Sequence, residues 1–149
     1  MNTHRFVVFT LDEGRYALYL SSVERILRAV EITPLPKPPE IVLGVVNVQG
    51  RIIPVVNIRR RFRLPEREMD LSDQLIIART SKRAVALVAD AVSDVIEISK
   101  EEVVAAEKVV PGMEYVEGVA KLEDGMVLVH DFDRFLSLEE EKALDGAMG

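Results

Sequence analysis

The stretch Gly44-Val45-Val46-Asn47-Val48-Gln49-Gly50-Arg51-Ile52-Ile53-Pro54-Val55-Val56-Asn57-Ile58 reads as two apolar runs reversed at Gln49-Gly50. Val and Ile branch at Cβ and suit the pleated, half-buried surface of a strand better than a helix. Gly tolerates the positive φ that a tight reversal needs. The stretch is therefore predicted to be a β-hairpin. A shift of 74 residues lays it on another one: Gly44-Val45 falls on Gly118-Val119, Val48 on Leu122, Ile53 on Val127, Val55 on Val129, Asn57 on Asp131 and Ile58 on Phe132. A shift of 69 does the same for the flanking sequence, laying Phe6-Val7-Val8-Phe9 on Leu75-Ile76-Ile77-Ala78, Ala17-Leu18 on Ala86-Leu87, and Val23 and Ile26 on Val92 and Val95. Any alternating chain matches itself at even offsets, but here the glycines stay in register with the apolar positions, which marks an internal repeat.

Short apolar runs of the same kind fill the chain: Phe6 to Leu11, Tyr16 to Leu20, Ile26 to Ile32, Leu43 to Val48, Ile52 to Ile58, Leu75 to Ala78, Ala84 to Ala89, Val92 to Ile98, Tyr115 to Leu122 and Met126 to Phe132. With 22 Val and 10 Ile, the expected class is all-β, a barrel pair or a sandwich. Asp12-Glu13-Gly14 and Asp124-Gly125 supply further reversals. Pro54 cannot donate to a ladder, so its strand is expected at an edge or at a bulge. Pro34, Pro36, Pro38 and Pro39 make one stiff, extended loop. Two segments carry the Ser-x-x-Glu spacing of a helix start, Ser99 to Glu102 and Ser137 to Glu140; the second is expected to open a short C-terminal helix over about 137–145.

The chain has 149 residues, 48% of them hydrophobic, no Cys and no Trp, and a net charge of -6. At this length roughly 70% of the unfolded surface is buried on folding, enough for a core without disulfides or metal. The expected organisation is one domain over 1–149 made of two similar halves, roughly 6–70 and 71–136. No apolar run approaches the ~18 residues that cross a bilayer, and Met1 to Arg5 offers no secretory leader, so the expected location is cytoplasmic without membrane insertion. The negative total disfavours general affinity for nucleic acid.

Catalytic chemistry finds no assembled parts. A two-fold β repeat with acids could hold a carboxylate dyad, but the repeat sets Asn57 opposite Asp131 and no Asp-Thr/Ser-Gly triplet exists. His130-Asp131-Phe132-Asp133 offers metal-ligand chemistry; in a strand, however, Asp131 and Asp133 face one side and His130 and Phe132 the other, which reads as two carboxylates at a strand end. The run Arg59-Arg60-Arg61-Phe62-Arg63 is followed by Glu66, Glu68, Asp70 and Asp73 and has a single aromatic, so it reads as a solvated or partner-facing strand end. No cofactor is expected. What remains is surface: Val23 and Ile26, three apart, share a face on a helical turn, as do Val92 and Val95, and apolar residues where two halves meet suit a partner helix.

The runs GVVNVQGRIIPVVNIRRRF (44–62), VALVADAVSDVIEI (85–98) and YVEGVAKLEDGMVLVHDFDRFL (115–136) resemble the CheW family of chemotaxis coupling proteins, a likeness that extends from Phe6 to Leu136. It implies two SH3-like five-stranded β-barrels and a non-catalytic adaptor that couples the cytoplasmic tip of methyl-accepting chemoreceptors to the regulatory domain of the histidine kinase CheA. Carried over by position, it implies a receptor groove at Leu20, Val23, Arg25, Ile26, Gln49 and Val88, and a kinase-facing surface at Ile41, Leu43 and Gly44. The chain departs from the family at two of these: Gln49 stands where an Arg is common, and Arg25 where an acid often occurs. Those departures leave open a module that binds or competes for kinase without receptor contact. An SH3-like nucleic-acid binder using Arg59 to Arg67 is a further alternative.

Overall fold

The computed structural model describes residues 3–28, 30–36, 40–62, 64–99, 102–105, 116–122, 125–130 and 138–148. The ten apolar runs all become strands: β1 (Thr3–Leu11), β2 (Gly14–Tyr19), β3 (Val23–Arg28), β4 (Val42–Val48), β5 (Arg51–Val56), β6 (Gln74–Arg79), β7 (Ala84–Ala89), β8 (Ala91–Ser99), β10 (Val116–Leu122) and β11 (Gly125–His130), with β9 (Val103–Ala105) between the last two and β8. Gln49 and Gly50 both have positive φ, 51° and 85°, and close a two-residue hairpin loop with Val48 opposite Arg51. That loop twists in the sense of the strands it joins.

The sheets cut across the sequence halves. One sheet runs β3-β6-β7-β5-β4, a contiguous barrel, and the other runs β8-β1-β2-β11-β10-β9, a barrel split between the two ends of the chain. The expected halves 6–70 and 71–136 are therefore not the barrels. Each half lends its first hairpin, β1-β2 or β6-β7, to the strands of the other. The bulges fall at matched positions of the repeat. Register slips at Glu24 in β3 and at Ser93 in β8, 69 residues apart, and at Leu43 in β4 and Glu117 in β10, 74 apart. A bulge re-aims a strand, and its recurrence at matched positions shows that both barrels bend by the same device.

Three apolar clusters follow from the period of two. Phe6, Val8, Ala17, Ile98, Ala120, Val127 and Val129 fill the split barrel, and Val46, Val48, Ile53, Val55, Leu75, Ile77 and Ala86 fill the contiguous one. The alternate residues, Phe9, Leu11, Tyr16 and Leu18 of the one and Ile76, Ala78, Val85 and Leu87 of the other, meet in a shared core. The hairpin strands β1, β2, β6 and β7 are thus buried on both faces, which is why they read as unbroken apolar runs.

Three expectations on elements change. Strand β5 lies between β4 and β7, so Pro54 is not at an edge. Val45 exchanges both backbone hydrogen bonds with Thr33, at 2.8 and 2.9 Å, so its pair with Pro54 is the non-bonded kind; the missing N–H faces β7, and that ladder begins only at Val55. At the matched place in the split barrel, Leu128 does pair with Tyr16. Second, Ser99 leads no further than a 3-10 turn that includes Glu102. Its N–H donates to Glu102 at 3.2 Å as a helix start requires, but the β-branched Val103 and Val104 go into β9, which gives the split barrel six strands rather than five. Third, Ile58–Arg61 is a four-residue helix, α1, capped by the Asn57 side chain, which accepts from Arg60 N–H. The C-terminal helix α2 (Leu138–Met148) runs past its expected end, with Leu144 buried in the shared core; Ser137 lies outside the described residues.

Candidate functional site

The β3 bulge decides the face of Val23 and Ile26. Val23 pairs with Ala78 and Ile26 with Ile76, two residues apart on β6 and both in the shared core, so Val23 and Ile26 point the same way. The expected helical turn is instead a strand, and the extra residue at the bulge turns an i, i+3 spacing, which would oppose faces, into one face. Val92 and Val95 do the same on β8, opposite Phe9 and Val7. Val23 and Val92 pack on the shared core, while Ile26 and Val95 are 38% and 49% exposed. The result is an apolar strip where the inter-barrel core reaches the surface. Leu20 sits beside it in the 3-10 turn Leu20–Ser22 that carries the chain from one barrel to the other.

Gln49 is exposed at its hairpin tip, and the next residue but one ties that tip to β3: Arg51 donates to Glu24 at 2.9 Å, with Arg79 at 3.5 Å. This ion pair joins β5 to β3 across the open side of the sheet. The hydrogen bond from Arg51 is the main cause holding the Glu24 carboxyl below its ordinary range. The structure thus brings Leu20, Val23, Ile26 and Gln49 into one neighbourhood, while Arg25, exposed on β3, pairs with Ile77 and leaves the strand on its other face. It does not bring Val88 there. Val88 pairs with Leu75, which pairs with Leu27, and all three belong to the barrel interior on the opposite face of the sheet.

Of the three kinase-facing candidates, Leu43 alone presents a side chain. It is the bulge residue of β4 and is 42% exposed, beside a small pocket of about 40 Å³ lined also by Met69, Val88, Ile58 and Arg59. Ile41 is 3% exposed in the shared core. Gly44 is buried, with φ 154°, and a Cβ there would lie 2.4 Å from the Thr33 carbonyl oxygen. Their burial makes Ile41 and Gly44 parts of the frame, not of a surface.

The arginine run was expected to face solvent or a partner; Arg59 and Arg61 are instead spent on contacts within the molecule, Arg60 stays exposed, and Arg63 lies outside the described residues. Arg59, with its side chain 9% exposed, donates to Asp90 at 2.7 and 2.9 Å, to Asp12 at 3.0 Å and to the Pro65 carbonyl at 3.0 Å. Arg67 bridges Asp90 and the buried Asp73, both at 2.6 Å. Asp12 belongs to the β1-β2 turn and Asp90 to the crossing from β7 to β8, so the network clamps one barrel to the other. Burial alone would raise the Asp90 carboxyl, but donors from Arg59, the Asp12 N–H and Arg67 outweigh it and hold Asp90 below its ordinary 3.8. Arg60 pairs with Glu40 and Glu66, and Arg61 with Glu140 of α2. Phe62 stacks on His130 at 4.4 Å and on Tyr16 at 4.9 Å, which removes it as a platform for bases. Spacing signalled Glu66 and Asp73 as offsetting acids but neither Asp90 nor Asp12, which lie 31 and 47 residues away from Arg59. Among the described residues no cluster of three metal-binding side chains occurs and no helix is long and apolar enough to cross a membrane; Asp131 and Asp133 lie outside them.

Fold and strip together define a class, the double SH3-like β-barrel with an exposed apolar seam. The chain belongs to the CheW-like family: the family model for the CheW-like domain matches residues 5–140. It is 29% identical over 142 residues to the chemotaxis protein CheW of Klebsiella aerogenes, covering 94% of this chain and 86% of that protein, and 27% identical over 146 residues to that of Treponema pallidum, with the same shares. The crystal structure of the scaffolding protein TtCheW from Thermoanaerobacter tengcongensis superposes with a TM-score of 0.83 at 30% identity, over 92% of this chain and 90% of that one.

Proposed function

We propose that this chain is a non-catalytic chemotaxis adaptor that couples methyl-accepting chemoreceptors to the histidine kinase CheA. The observation that carries the reading is the strip: Ile26 and Val95, 38% and 49% exposed on matched strands, continue the shared core out to the surface. In this role the receptor tip lies on Leu20, Val23, Arg25, Ile26 and the Gln49 turn, and the kinase regulatory domain meets Leu43 with Met69 and Val88 beside it, all in the cytoplasm. The two departures from the family weigh less than the sequence suggests. An acid on the β3 bulge and an arginine on the β4-β5 hairpin are both present, as Glu24 and Arg51, and they pair at 2.9 Å. The observation that favoured a kinase competitor without receptor contact is thereby removed.

The test is capture of the chain on receptor-tip helices with and without the CheA regulatory domain. Binding to each alone, and a ternary complex with both, is the expected result. Kinase binding with no receptor binding overturns the proposal in favour of the competitor, and salt-dependent binding of oligonucleotides would revive the nucleic-acid alternative.

A further inference from the structure

The edge strand β3 has a second face, turned away from the strip. Arg25 pairs with Ile77 and stands two residues before Leu27, both of the contiguous barrel's core, so its side chain leaves β3 on that side. Two further arginines reach the same side at the same end of the barrel. Arg79 follows Ile77 by two residues and lies opposite Ala84, and Arg51 lies opposite Val48; Ala84 and Val48 both pack in that core. Glu24 fixes the juxtaposition, since its carboxylate accepts from Arg51 at 2.9 Å and from Arg79 at 3.5 Å. Three guanidinium groups therefore gather around one carboxylate, and among the described residues no ion pair holds Arg25. The cluster is open to solvent, with the side chains of Arg51 and Arg79 51% and 59% exposed. The exposed Lys82 follows in the turn to β7, whereas Glu141 and Asp145 of α2 hold Arg83.

The fold does not need this charge. At the matched places of the split barrel the repeat sets Asp94 for Arg25, Gly125 for Arg51, Thr10 for Arg79 and Ser93 for Glu24, with Arg15 where the contiguous barrel has Ala84. That barrel nevertheless forms with the same bulges and the same hairpin pairings. In a chain of net charge -6, cations collected at one barrel end around a single acid suit an acidic partner.

We propose that this end of the contiguous barrel docks an acidic peptide segment, whose carboxylates pair with Arg25 and Arg79 while Glu24 keeps Arg51. Glu24 itself displays the ligand chemistry, a carboxylate seated between two guanidinium groups. It is also the internal competitor, because it takes donors and cancels one of the three charges. The phosphates of a nucleic acid would meet the same cations, but no aromatic side chain stands among these residues to stack a base. The surface lies off the strip, so it adds a docking site to those of the adaptor reading and does not depend on them.

A fluorescently labelled peptide of six consecutive Glu tests it by anisotropy, with a single-stranded oligonucleotide of six phosphates as the rival polyanion. The unmodified chain binds the peptide, and more weakly as salt rises. Arg25→Gln with Arg79→Gln, which leaves the pair of Arg51 and Glu24 in place, lowers the affinity about fivefold or more, and Glu24→Gln raises it about threefold. Arg5→Gln with Arg28→Gln removes the same charge at exposed positions outside the cluster and leaves the affinity within about twofold. Both double variants keep the melting temperature. No binding of the peptide, an equal fall in the two double variants, no rise in Glu24→Gln, or tighter binding of the oligonucleotide than of the peptide overturns the proposal. None of these results touches the adaptor reading, which stands or falls on capture by receptor-tip and kinase fragments.

Discussion

Gly44 and Asp90 show how much of this molecule rests on single side chains, one by lacking atoms and the other by supplying them. At Gly44 a methyl group would meet the Thr33 carbonyl oxygen at 2.4 Å with φ at 154°, and the clash is with backbone that is itself bonded to Val45. Gly44→Ala is expected to cost about 2 kcal/mol or more in urea unfolding. Any loss of kinase binding in that variant should follow its loss of fold rather than mark a contact. Asp90 gathers the guanidinium groups of Arg59 and Arg67 and the Asp12 N–H. Its folded-state pKa is depressed, so the stability it contributes is present above the ordinary 3.8 and is lost as pH falls through the depressed value. Asp90→Asn takes the charge and one acceptor oxygen from the buried Arg59, which keeps Asp12 and the Pro65 carbonyl, and is expected to cost about 2–3 kcal/mol at pH 7. The gap between variant and parent should begin to narrow below about pH 4 and close as pH falls through the depressed folded-state value. Urea midpoints at both pH values check this, and a gap independent of pH would mean the carboxylate charge contributes nothing.

At the scale of elements, the β-bulge is the device that makes a binding face. Were Glu24 paired regularly rather than bulged, Val23 and Ile26, three residues apart, would point to opposite sides of β3, and one of them would be lost to the barrel interior. The two positions still differ in depth. Val23 packs on the shared core, and Ile26 lies further out at 38% exposure. Ile26→Asp is therefore expected to keep the fold within about 1 kcal/mol and to weaken receptor-tip binding about tenfold. Val23→Asp should weaken both, since it buries part of a charge. Calorimetric titration beside thermal melts separates the two; an unaltered affinity in Ile26→Asp would remove the strip from the receptor interface. Pro54 makes the matching point for pairing. It is tolerated in a central strand because neither neighbour calls for the N–H it lacks: Val45 exchanges its bonds with Thr33, and the pairing with β7 begins only at Val55.

At the scale of the whole molecule, the exchange of hairpins means that neither half of the chain owns a sheet. A fragment of residues 1–70 holds β1 to β5 without β6 and β7, the strands that join β3 to β5. It is expected to lack a cooperative melting transition, whereas the full chain melts in one step because both barrels share a core; scanning calorimetry of each checks this, and a cooperative transition in the fragment would contradict it. By itself the sequence determined what depends on neighbours along the chain. Strand content followed from 22 Val and 10 Ile, the hairpin reversals from Gly at fixed places, and the duplication and most of the strip from two offsets that kept glycines and apolar residues in register. Only the tertiary structure decided what depends on residues far apart. It assigned each hairpin to the opposite barrel, buried Ile41 and Gly44, turned Val88 inward away from Val23, and consumed Arg59 and Arg67 in the clamp at Asp12, Asp73 and Asp90. The physical reason is that a period of two states which residues share a face but not which strand will lie opposite. Ion pairs between groups 31 or 47 residues apart leave no mark in local pattern.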